Sequence, residues 1–330
     1  MTLTRRSALG RVFVATVITL APWGVIPATA QDRWPTKPVR IVVPFAAGGS
    51  TDAIARMVGQ KLSVLWGQPV IVENRAGAGG NLGADAVAKS KADGYTLLMA
   101  SGSITINPYI YKSMTFDTKR DLVPITNVAS GPMLLVVPDR SPLKNMRDLI
   151  TLAKATPGAV TFGSAGVGSQ VHLAAENFAN AARIEINHVP YRGEAVAYND
   201  LIAGQIQMMV GNFAAASALL GSGRLRALAV TGKERSQQLP DVPTVSESGL
   251  PGFENSGWFG FFAPTGMPQD IVAKVRLDTV KVLAESDTKE RLYAQGMAPV
   301  GNTSAEFSKA MDAESKLWAT VVKNRNITTN

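Results

Sequence analysis

Apolar residues along this chain gather in short runs separated by stretches of helical spacing. The runs are Val39–Pro44, Val70–Val72, Thr96–Ala100, Leu134–Val137, Val160–Phe162, Ile206–Val210 and Leu225–Val230. Several are apolar throughout rather than alternating, as strands covered on both faces are. Helical spacing follows at Thr51–Leu65, Leu82–Lys89, Asn145–Ala155, Gln170–Ala182, Ala195–Ala203 and Ala214–Leu220. The end of the chain reads as helix alone, over Gln269–Ala284, Thr288–Gln295 and Ser304–Asn324. Strand and helix in alternation predict an α/β fold with mostly parallel sheets. The pattern restarts near Gly131-Pro132 and shifts again near Pro251–Gly257. Two crossings predict an inserted domain: residues 31–131 and 254–330 form one lobe, 132–253 the other, and a hinged cleft lies between them. The aromatic run Trp258, Phe259, Phe261 and Phe262 at the second crossing reads as core or hinge packing; its sharper alternative is a pocket wall for an aromatic acid.

Four turns repeat one chemistry. They lie in "RIVVPFAAGGSTDAIARM" (Arg40–Met57), "VIVENRAGAGGNLGADAVA" (Val70–Ala88), "LLMASGSITINP" (Leu97–Pro108) and "VTFGSAGVGSQVHLAAENF" (Val160–Phe178). Each runs from a strand through small residues into a helix, and such turns sit at the carboxyl ends of strands, where α/β sheets bind ligands. Glycine lets backbone N–H groups approach a ligand without a Cβ in the way. A helix start adds unpaired donors and a positive dipole end. Ser50, Thr51, Ser103, Ser164 and Ser169 contribute hydroxyls. Converging, the turns make a receptor for carboxylate oxygens. For any single turn an ordinary connection is the alternative; the repetition weighs against it. The first turn lacks the lysine of a nucleotide-phosphate loop.

Composition narrows the choice. A chain of 330 residues holds two domains. Arg5, Arg6 and Arg11 precede an apolar run from Val12 to Ala21, and Ala28-Thr29-Ala30 follows as a small-x-small site. Residues 1–30 therefore read as a secretory signal cut near Ala30, leaving Gln31 first and the mature protein in the periplasm. Thr4-Arg5-Arg6-Ser7 partly matches a twin-arginine signal, and the general route is the alternative. Without the leader's three arginines, the 33 basic and 25 acidic residues become 30 and 25, and the net charge falls from +8 to +5. The charges are scattered, which excludes the clustered basic stripe of a nucleic-acid binder and suits anionic ligands. The chain has no cysteine, so disulfides, thiolate metal sites and cysteine nucleophiles are excluded. Gly77, Gly79 and Gly83 space as GxGxxxG, which is not the dinucleotide fingerprint, and Asp93 is misplaced for a ribose. No GxSxG occurs. His172 and His188 read as packing or hydrogen-bonding residues and make a poor zinc site. An exported hydrolase or isomerase using a serine of the 163–169 turn, with His172 near in sequence, is the rival reading.

Five stretches together resemble one family: "WPTKPVRIVVPFAAGGSTD", "GQPVIVENRAGAGGNLGADAVAKSKADGYTLL", "FGSAGVGSQVHLAAENF", "HVPYRGEAVAYNDLIAGQIQ" and "LPDVPTVSESGLPGFE". The chain is similar over its whole mature length to the Bug family, the substrate-binding proteins of tripartite tricarboxylate transporters. The resemblance implies a two-lobed periplasmic-binding-protein fold of Venus-flytrap, type II-like form, with no catalysis, cofactor or metal. It implies a ligand among dicarboxylates, tricarboxylates, acidic amino acids and aromatic acids. Its partners would be membrane transporter subunits or, in a sensing role, a sensor kinase ectodomain. By the family pattern one carboxylate sits between the turn Phe45, Ala46, Ala47, Gly48, Gly49, Ser50, Thr51, Asp52 and the turn Gly77, Ala78, Gly79, Asn81. Main-chain amides hold it there, often through waters. The second lobe would add Ser164, Ala165, Gly166 and Ser169, then Tyr191, Arg192 and Gly193. Asp200 matches the position where amino-acid-binding relatives place an acid near the ligand's ammonium; a solvated helix residue is its alternative. Arg75 reads as a surface residue. Ala46 and Ala47 stand where many relatives have proline.

Overall fold

Seventeen consecutive residues, Leu122–Pro138, form one strand that serves two sheets, and the fold is organised about it. The structure, a computed structural model, describes residues 34–329 together with Thr2. The secretory leader, its cut near Ala30 and the start at Gln31 lie outside the described residues. The strands are β1 (Val39–Val43), β2 (Val70–Asn74), β3 (Thr96–Ser101), β4 (Leu122–Pro138), β5 (Thr161–Ser164), β6 (Asn187–Pro190), β7 (Met209–Asn212), β8 (Leu225–Val230), β9 (Ser256–Pro264) and β10 (Ala298–Pro299). The helices are α1 (Ser50–Trp66), α2 (Asn81–Ala88), α3 (Ser103–Ile110), α4 (Thr118–Asp121), α5 (Met146–Ala155), α6 (Gln170–Ala182), α7 (Glu194–Ala203), α8 (Phe213–Gly221), α9 (Gln269–Ala284), α10 (Ser286–Ala294) and α11 (Ser304–Asn324).

The first sheet has the order β2-β1-β3-β9-β4-β10. Side chains alternate across a strand, and both faces of β9 are used. Phe259, Phe261 and Ala263 join Ile41, Leu97 and Met99 under α1 and α9. Trp258 and Phe262 face the other way, onto Phe307 of α11. The aromatic run is thus core, and none of its members lines the cleft described below. Its eight-residue span of buried positions leaves no polar alternation to read, which is why the sequence pattern does not announce β9 as a strand.

β4 changes sheets midway. Its last partner on β9 is at Pro132, and its first on β7 is at Met133. Beyond that point β7 and β8 flank it. Met133, Leu135 and Val137 then pack with Leu149 of α5 and Phe178 of α6, while Leu134 and Val136 pack with Tyr198 of α7 and Phe213 of α8. β5 and β6 pair with each other, and a bridge from Phe162 to Met208 sets them beside β7. The expectation of mostly parallel sheets is corrected here. β9 pairs antiparallel with β3, and β4 pairs antiparallel with β7, β8, β9 and β10. Among the described residues the parallel strand pairs are β1 with β2, β1 with β3 and β5 with β6, besides the single parallel bridges Phe162–Met208 and Val230–Thr244. β9 carries the chain back out of the second sheet, and a strand returning beside the one that led in runs opposite to it.

Helices α1, α6, α7 and α8 each start within a few residues of the end of β1, β5, β6 and β7, respectively. Their positive ends therefore gather at the carboxyl edges of the strands.

Candidate functional site

The turn after β1 is held from within. Gly48 donates its N–H to Asp52 Oδ2 at 3.0 Å, as does Arg56 Nε at 3.0 Å, and Asn74 Nδ2 donates to Asp52 Oδ1 at 2.9 Å. Asp52 is buried, so both its oxygens are spent on shaping the turn. Burial alone would push its carboxyl up, but Arg56, the Gly48 N–H and Asn74 hold it below the ordinary aspartate value. A carboxyl depressed in the folded state stabilises fully above its unfolded value and loses that contribution as pH falls through the folded value. Asp52→Asn should therefore cost about 1–3 kcal/mol at neutral pH, the range for an unmade charged hydrogen bond. The difference from the natural protein should shrink as urea unfolding is repeated from pH 6 down to pH 2.5. A gap that stays constant with pH contradicts this account.

The predicted turns face one another across the molecule. Ala46 donates its N–H to the Arg192 carbonyl at 3.1 Å. Ser50 donates its N–H to Glu194 Oε2 at 3.0 Å, and its Oγ accepts the Ala215 N–H at 3.1 Å. Phe45 is buried within the second sheet's core, beside Ala165 and Val171. A Cβ on Gly193 would lie 3.0 Å from the Ala46 Cβ. On the other side of the cleft Tyr111 donates its hydroxyl to the Val167 carbonyl at 2.9 Å. Asn107 donates to the Gly79 carbonyl at 3.0 Å and to Asn81 Oδ1 at 2.8 Å. Gly102 donates its N–H to Gln170 Oε1 at 3.0 Å.

Two spaces lie where these turns meet. A deep one of about 10 Å³ is lined by Phe45, Gly49, Ser50, Thr51, Ser101, Ala165, Ser169, Gln170, Val171, Glu194 and Asn212. An open groove of about 920 Å³ runs along Gly77, Ala78 and Gly79 on one side and Ala165, Gly166, Val167, Tyr191 and Arg192 on the other. Among the described residues, the N–H groups of Ala78, Gly79, Ala165 and Val167 carry no hydrogen bond. In the first turn the Ala46, Gly48 and Ser50 N–H groups are already engaged by the protein's own oxygens, which leaves Ala47, Gly49 and Thr51. Ser103 is buried behind the cleft with its Oγ 3.4 Å from that of Ser101.

Three charged residues of the prediction take different places. Asp200 accepts the Tyr191 hydroxyl at 2.7 Å and lines neither space. Arg192 lines the groove. Arg75 is on the surface, paired with Glu73. Ser164 is fully buried; its Oγ meets His188 Nε2 at 2.6 Å and accepts the Gly166 N–H at 3.0 Å. The rival reading takes a serine of the 163–169 turn with His172, near in sequence, as the candidate base. In the structure His172 Nδ1 accepts the Gly168 N–H, and its ring stacks on His188 at 3.9 Å. Burial pushes His172 well below the ordinary histidine value and His188 down to about 4. Both rings are neutral parts of a packed stack with Phe162 that braces the 163–169 turn. Among the described residues no cluster of His, Asp and Glu is arranged to hold a metal, and no helix is long and apolar enough to cross a membrane.

Sequence reasoning missed Glu194, Asn212, Gln170, Asn107 and Tyr111. Only Glu194 carried a local signal, as an acid directly after Gly193 at a helix start. The others are assigned by tertiary contact alone.

Two sheets joined by β4 and β9, with helix starts and glycine turns facing each other, define a two-lobed α/β solute-binding protein. The family model described as the tripartite tricarboxylate transporter family receptor, TctC, matches residues 54–327. The protein belongs to this family of periplasmic solute-binding proteins. It is 38% identical to the protein BugT of Bordetella pertussis over 325 residues, covering 98% of each chain. It is similar to the structure of Rpa4515 of R. palustris with adipate, at 35% identity and a TM-score of 0.87, over 90% of this chain and 100% of that one. It is also similar to MatC (Rpa3494) of Rhodopseudomonas palustris with bound malate, at 30% identity and a TM-score of 0.82, over 88% and 100% of the chains.

Proposed function

We propose that the protein captures a small organic carboxylate in the cleft through backbone amides and bridging waters, and delivers it to membrane transporter subunits. The observation that carries this reading is the set of uncommitted N–H groups at Ala78, Gly79, Ala165 and Val167 around one groove. They come from opposite sides, so a ligand that takes both favours the closed arrangement. Adipate in one relative and malate in another support an acid as the ligand. The lobes are residues 31–131 with 254–330, and 132–253, which accords with the change of partners at Pro132 and Met133. Export with a cut near Ala30 completes the reading. A thermal-shift panel of mono-, di- and tricarboxylates, acidic amino acids and aromatic acids tests it. An acid at a hundredfold over its Kd should stabilise the protein by about 2.7 kcal/mol. Stabilisation by neutral sugars and by none of the acids refutes it.

A further inference from the structure

The deepest donors of the cleft are held by an acid of the chain itself. Glu194 is the first residue of α7 and is 5% exposed. Its Oε2 accepts the Ser50 N–H at 3.0 Å, and its Oε1 accepts the Asn212 N–H and Nδ2 at 2.9 Å each. Ser50 opens α1 and Asn212 is the N-cap of α8, so three helix starts meet at one carboxylate. Burial pushes the Glu194 carboxyl above the ordinary glutamate value, while the hydrogen bonds from Asn212 and Ser50 favour its ionised form. The space of about 10 Å³ lies beside the side chain, and among the described residues no lysine or arginine lines it. Among the described residues, the cation lining the adjoining groove is Arg192.

From this placement we infer that Glu194 bars a carboxylate from the depth of the cleft, so that the ligand is an acid with one carboxylate and an uncharged or cationic inward end. The inference rests on the carboxylate reading above and narrows it. A second carboxylate next to Glu194 would find the Ser50 and Asn212 donors taken, the Gly49 and Thr51 amides uncommitted, and a like charge with no lysine or arginine among the described lining residues, in a site where water screens poorly. The ligand's own carboxylate belongs at the groove, on the uncommitted amides. Ala165 lines both spaces, so the far end of a ligand lying in the groove points toward Glu194. An amide, a hydroxyl or an ammonium is compatible with that position. Asp200, the acid that the family resemblance implies for an ammonium, is turned to Tyr191 instead.

Calorimetry with length-matched acids of four to six carbons tests the inference. Each set compares the diacid, its half-amide, the ω-hydroxy acid and the ω-amino acid. In the natural protein the tightest of the last three should bind about tenfold or more tighter than the diacid, equal to about 1.4 kcal/mol. In Glu194→Gln the ratio should fall toward one or invert. Glu194→Ala, which offers no amide to the same donors, should do the same and covers the case where glutamine unsettles the fold. A diacid that binds the natural protein as tightly as its partners overturns the inference, and so does a ratio that persists in both variants. Binding of no acid at all overturns the carboxylate reading together with it.

Discussion

Gly79→Val should lose about a hundredfold in carboxylate affinity, or about 2.8 kcal/mol, while the fold survives. A Cβ at this position would lie 2.1 Å from the Val167 carbonyl oxygen and 2.9 Å from the Tyr111 hydroxyl. The first is backbone of the opposite turn, so the two sides must separate to admit it. That separation parts the Gly79 amide from the Ala165 and Val167 amides, which a bound acid needs together. The residue also has φ +61, where an L-residue costs roughly 1–2 kcal/mol. Strain and clash can be told apart at Gly223, which has φ +66 and nothing within 4 Å of its missing Cβ. Gly223→Val should pay a similar strain in urea unfolding and keep its affinity. Equal losses of affinity in both variants, or none in Gly79→Val, contradict the closure argument.

The contrast between these glycines bears on what a sequence can tell. Both are small residues in a turn, and nothing local separates the one pressed against another segment from the one in open space. The strand–glycine–helix turns were legible because their chemistry is local: a strand edge, small residues, a helix start. Helices such as Gln170–Ala182, Gln269–Ala284 and Ser304–Asn324 were legible to the residue because their apolar stripes repeat every turn. β9 and the first half of β4 were not. Their partners lie up to 142 residues away at Leu122 and Pro264; β9 is buried on both faces and has no period to detect, and the alternation of β4 is broken by irregularities between Pro124 and Thr126 and between Asn127 and Ala129. The site divides the same way. Ser50 and Gly79 announce themselves, whereas Asn107 and Asn212 act only because distant segments bring Gly79 and Glu194 to them. The deep cleft adds a further lesson. Amides that look free in the sequence, such as that of Ser50, can already be committed to a side chain that arrives 144 residues later.

Phe261→Ala should lower stability by about 3–5 kcal/mol, the cost of emptying a fully buried phenylalanine site. Phe261 has no exposed surface and sits on the central strand β9, between Met99 of β3 and Thr126 of β4. Its neighbours include Ile41, Leu97 and Val275, on elements that are themselves anchored in the sheet, so the cavity cannot close by a local shift. Against a total of about 5–15 kcal/mol this is a large share. Where the loss appears is the more telling part. β4 is continuous through both sheets, so unfolding the first sheet frees the strand on which β7 and β8 depend. The protein carries separate reporters for the two regions. Trp34, Trp66 and Trp258 pack with the first sheet, His172 and His188 stack on Phe162 beside the second, and Trp318, which packs with Leu173 of α6, is replaced by phenylalanine in the background used. Tryptophan fluorescence and histidine NMR signals followed through one urea titration should therefore shift together in Phe261→Ala. If the fluorescence midpoint drops and the histidine midpoint holds, the two sheets unfold independently and β4 does not couple them. Joint movement means that the strand joining the lobes also ties their stabilities, and closure can then alter the cleft without loosening either side.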